Sequence, residues 1–136
     1  MKFMVFMPAN EESEAGALPP TEVFEAMSKF NEELAKAGVL LAAEGLAPTS
    51  KGARVRFDDA TKRTVIDGPF TEAKELIAGF WMLQASSLEE CLEWVKRAPI
   101  QGVTLQVRQV FELDDLGPGF TPELREAEQQ LRTQLD

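Results

Sequence analysis

A chain of 136 residues with 44% apolar and 27% charged residues fits one globular domain with a sizeable core. Its net charge of −9 argues against a nucleic-acid backbone or an anionic membrane surface as partner, since both call for clustered Lys and Arg. The absence of histidine and the single cysteine, Cys91, remove the commonest general base, the commonest metal ligand and any intrachain disulfide, so no metal, no cofactor and a cytoplasmic setting are expected.

Residues 2–8 are apolar up to Pro8 and read as a strand. The run is too short for a signal peptide and has no small-residue cleavage site. Residues 9–19 form a loop of acidic and small residues, and Thr21 is placed to cap the helix that follows. Val23, Met27, Phe30, Leu34 and Ala37 draw one apolar stripe on that helix, which Gly38 stops. Val39 to Ala43 read as a second strand, followed by Glu44-Gly45-Leu46. Residues 53–58 and 63–66 alternate as a hairpin around Asp58 to Lys62.

Leu76 to Leu83 is a further apolar strand. Leu88, Cys91, Leu92 and Val95 mark a helix capped by Ser86 or Ser87 and ended by Pro99, with Cys91 as a small core residue. Val103, Leu105 and Val107 alternate with polar residues in a last strand. Gly117-Pro118-Gly119 breaks the chain. Thr121 caps a tail helix with Pro122 at its first position. This divides the chain into a domain over residues 1–116 and a helical extension over 117–136. The extension has one narrow apolar stripe of Leu124, Ala127, Leu131 and Leu135.

Two βαβ halves on an antiparallel sheet make an α+β, ferredoxin-like fold. Strands 2–8, 39–43 and 76–83 are apolar almost without alternation, the pattern of strands covered on both faces. Two helices cover one face of a four-stranded sheet. The other face, left wet, would exceed the ~300–600 Å² apolar patch of ordinary monomers. A second copy of the same sheet is the simplest cover, so a homodimer is expected.

Between the hairpin and the strand that starts at Leu76 lies Asp67-Gly68-Pro69-Phe70-Thr71-Glu72-Ala73-Lys74-Glu75. This run resembles the DGPFAETKE signature of YCII-related proteins and departs from it at Thr71 and Ala73. The resemblance runs from about Lys2 to Val110 and includes Glu44-Gly45-Leu46 after an apolar strand. It implies the same ferredoxin-like fold, with two sheets closing into a dimeric α+β barrel. It also implies a histidine–aspartate dyad, which does not transfer to a chain without histidine. Any step needing a threonine hydroxyl at Ala73 does not transfer either.

The residue readings stay open between structure and chemistry. Asp67 is either the acceptor of a tight turn or an ionised acid/base at the mouth of a cleft. Glu44 is either solvent-facing or its partner in the cleft. Phe70 is core or cleft wall. Glu72 and Lys74 are solvated charges, or a cationic anchor for an anionic substrate with its positioning carboxylate. Arg108, on the polar face of the last strand, pairs with Glu44 or Asp67 or binds an anion. Two functions follow. One is a small-molecule protein binding an organic, anionic ligand in a barrel cleft, with acid/base chemistry of an isomerase or lyase type. Muconolactone isomerases and dechlorinating enzymes share the implied fold, which is fold analogy only. The other is a non-catalytic dimeric interaction or regulatory module.

Overall fold

The computed structural model describes residues 1–135. Strand β1 spans Lys2–Pro8 and is followed by a short helix α1, Glu11–Glu14. Residues 9–19 are thus not all loop; the four residues of α1 carry no periodicity. Its signal is local instead. Asn10 Oδ1 accepts from the Ser13 amide at 2.8 Å and Ser13 Oγ accepts from the Asn10 amide at 2.9 Å, a reciprocal cap. Helix α2, Thr21–Lys36, corrects one expectation: Pro20 occupies the cap position without a side-chain bond, and Thr21 is already helical. Gly38, at φ 73°, ends the helix as expected.

Strand β2 is Leu40–Gly45. The hairpin is β3, Ala53–Phe57, and β4, Arg63–Asp67. At its turn, Asp58 accepts from Thr64 Oγ1 at 2.6 Å and from Arg56 Nε at 2.7 Å, and these bonds hold its carboxyl below the usual range. Strand β5, Ile77–Gln84, leads to helix α3, Leu88–Val95. Ser87 is its cap, accepting from the Glu90 amide at 3.1 Å. The last strand, β6, is Gln106–Gln109. It is shorter than the alternation from Val103 suggested, and Val103 stays 42% exposed ahead of it. Helix α4, Pro122–Leu135, begins under the Thr121 hydroxyl, which accepts from the Leu124 amide at 3.3 Å.

The main sheet has the order β2-β5-β1-β6 with every neighbour antiparallel, and β3–β4 stands apart as a two-stranded sheet. Order and connections are those of the ferredoxin-like α+β fold. The strands that read as uniformly apolar alternate in burial. Phe3 and Val5 of β1 and Trp81 and Leu83 of β5 pack with Phe30, Leu34 and Cys91 from α2 and α3. Each such fully buried large side chain contributes about 1.5–3 kcal/mol. Burial also pushes the Cys91 thiol up from its ordinary pKa, which fits a core residue rather than a reactive one.

The second apolar set lies on the opposite face, where Met4 faces Met82 and Phe6 faces Phe80 across the strand pair. None of these four is buried. Helix α4 also contributes nothing buried, and Leu124, Leu131 and Leu135 are exposed. Among the described residues no helix is long and apolar enough to cross a membrane.

Candidate functional site

The apolar stripe of α2 meets the sheet only along its C-terminal half. Phe30 and Leu34 are buried, Met27 is half-buried, and Val23 and Phe24 are 40% and 53% exposed. The helix therefore lifts off the sheet toward its N-terminus, and a cavity of about 930 Å³ opens beneath it. Met7, Ala43, Gly79 and Trp81 form the floor on the helix side of the sheet. The α2 residues Val23, Met27 and Asn31 make one wall, and the segment from Ala15 to Pro19 makes another. Leu46, Pro48, Ser50, Lys51 and Ile100 complete the border. Gly79 is needed there, since a Cβ at that position would meet the Glu44 carbonyl oxygen at 2.9 Å.

The Asp67 to Glu75 turn does not enter this cavity; it holds one of the cavity's walls. Gly68 packs on the short 3-10 segment Thr49–Lys51, where an added Cβ would lie 1.7 Å from the Thr49 carbonyl oxygen. The Gly68 amide donates to Gly52 O at 3.0 Å, and the Phe70 amide donates to Thr49 Oγ1 at 3.0 Å. That same hydroxyl donates to Glu14, whose carboxylate also accepts from the Thr49 amide at 3.2 Å. Thr49 thus joins α1, the 3-10 segment and the signature turn. No sequence pattern pointed to it, because its partners come from three separate stretches.

Phe70 is half-buried beneath Arg54, whose guanidinium carbon lies 3.7 Å from the ring centroid. Arg54 also pairs with Glu72 at 3.4 Å. Phe70 and Glu72 are therefore brought together through an arginine that no motif marks in the sequence. Asp67 ends β4 and is exposed, as is Lys74. Glu44 borders the cavity, but its pairing with Phe80 puts it on the sheet's uncovered face. Arg108 is on that face too, opposite Met4. It pairs with neither Glu44 nor Asp67 among the described residues. Glu44 and Arg108 sit on opposite edge strands, and three strand spacings separate them by roughly 14 Å. One chain does not gather Asp67, Glu44, Lys74 and Arg108 around a common point.

The YCII-related domain profile matches residues 1–114. The chain belongs to the YCII-related family. A relative from Rhizobium meliloti strain 1021, itself an uncharacterized protein, is 33% identical to this YCII-related chain over 90 residues, covering 64% of the chain and 72% of the relative. Among solved structures, 5-chloro-2-hydroxyhydroquinone dehydrochlorinase from Burkholderia phenoliruptrix AC1100, in complex with 2,5-dihydroxybenzoquinone, overlaps with a TM-score of 0.41 at 14% identity. That overlap covers 85% of this YCII-related chain and 99% of the dehydrochlorinase chain.

Proposed function

We propose that this YCII-related chain is a cytoplasmic homodimer that binds a small organic ligand in the cavity under α2. The supporting observation is the cavity itself. Its volume falls within the ~300–1,000 Å³ of small-molecule sites, and its lining is apolar with a few polar groups. Lys51 on its border makes no ion pair among the described residues and suits an acidic end on the ligand. Glu44, the acid/base candidate, has its side chain on the uncovered face, so its chemistry would serve a cleft that a second copy closes there. A role for Arg108 would belong to the cleft that a second copy closes over the uncovered face, and Asp67, Glu72, Lys74 and Phe70 lie outside the cavity lining.

Val23→Trp tests the binding reading. Val23 is a partly exposed wall residue, so the indole is expected to fill the cavity while the fold stays intact. Fragment binding followed by nuclear magnetic resonance should fall at least about tenfold, which corresponds to ~1.4 kcal/mol. Unchanged binding would move the site elsewhere.

Residues 117–136 form, in this proposal, an extension outside the domain. An ion pair of 3.0 Å between Arg125 and Asp114 ties α4 to the preceding segment. An isolated helix of its length is marginal in water, so its leucine stripe needs a surface to dock on. Deleting 117–136 is expected to leave circular dichroism of a folded α+β core and to weaken the dimer. An unfolded product would make α4 part of the core. A dimer of unchanged affinity would leave α4 for another protein and favour the interaction-module reading.

A further inference from the structure

We infer that the side-chain amide of Asn31 is the polar anchor of this cavity and donates a hydrogen bond to a carbonyl oxygen of the ligand. The inference rests on the binding reading above and names the ligand's class: a mostly apolar carbonyl compound. Asn31 lies on the α2 wall and is half-buried. Its Oδ1 accepts from Trp81 Nε1 at 2.8 Å. An indole nitrogen only donates, so the atom facing Trp81 has to be the oxygen. This decides an amide orientation that atomic positions alone leave ambiguous.

The consequence is that Nδ2 turns away from Trp81 with both of its protons. No protein acceptor among the described residues takes either one. No fully buried side-chain nitrogen or oxygen among them lacks a partner, so Nδ2 is open to the space in front of it. Trp81 is itself fixed, 6% exposed and edge-to-face with Phe30 at 6.0 Å. The donor is therefore held in place before any ligand arrives, which lowers the ordering cost of binding. Met7, Val23, Met27, Leu46 and Ile100 give the cavity apolar surface elsewhere on its lining. Ser13, another polar residue on the lining, is already bonded to Asn10. A hydrocarbon there would leave the amide without an acceptor, whereas a carbonyl oxygen satisfies it.

The test uses acetophenone and ethylbenzene, which have similar shapes and differ by the carbonyl oxygen. Each is titrated into the full chain and into Asn31→Asp, followed by nitrogen–proton correlation spectra at neutral pH. Aspartate keeps an acceptor for Trp81 and lacks the donors. Acetophenone is expected to shift the Asn31 side-chain amide resonances. Asn31→Asp should weaken acetophenone roughly tenfold relative to ethylbenzene, with the Trp81 indole resonance retained. An unchanged ratio would overturn the inference and leave the cavity reading standing. Binding of acetophenone without movement of the Asn31 resonances would overturn it without recourse to any variant. Failure of both probes to bind the unmodified chain would overturn the inference and the binding reading together.

Discussion

Gly68→Ala is expected to destabilise the protein by roughly 3 kcal/mol and to lower its Tm on the order of 10 °C. The new Cβ would stand 1.7 Å from the Thr49 carbonyl oxygen and 2.6 Å from its carbonyl carbon. Both are backbone atoms, so no side chain can swing aside. Relief requires the turn to withdraw from residues 49–52. Withdrawal breaks the Gly68 amide bond to Gly52 and the Phe70 amide bond to Thr49. It also frees the segment that carries Ser50 and Lys51 on the cavity border. Calorimetry should show the loss, and ligand binding should weaken with it. A Tm within a degree of the parent would mean that the turn does not rest on Thr49.

Met82→Lys is expected to convert a dimer into a folded monomer. Met82 sits on the uncovered face of β5, opposite Met4 on β1 and Ala42 on β2. In a single chain that site is half-exposed, so a lysine can reach water and costs little. At the centre of a sheet-on-sheet interface its charge would be buried without a partner. That loss should weaken association roughly 100-fold or more, a cost of about 3 kcal/mol or above. Light scattering is the measurement. The parent should run at about twice its 15.1 kDa chain mass, and the variant near the chain mass itself. A parent that is monomeric at micromolar concentration ends the dimer proposal. A variant that stays dimeric moves the interface off this face.

Much of this molecule was legible in its residues. The order of strands and helices follows from local patterns: the stripe ending at Ala37, the Ser87 cap, the positive φ at Gly38 and the Thr121–Pro122 start of α4. These signals lie within a few residues of the structure they specify, so one sequence carries them. Helix α1 escaped because a reciprocal Asn10–Ser13 cap does not show as periodicity. The family could also be read from the Asp67 to Glu75 run.

What only the tertiary structure decided is where side chains converge. Strand order put two strands between Glu44 and Arg108, which no local pattern encodes. The angle of α2 against the sheet opened the cavity at Val23 and Phe24, although the same stripe is buried at Phe30 and Leu34. Thr49 became a joint, and Asn31 met Trp81 from fifty positions away, through contacts that exist only once the chain is folded. The residue types set which elements form and which faces are apolar. Non-local packing then selected which of those faces meet, and so where a ligand would find both an apolar wall and a free donor.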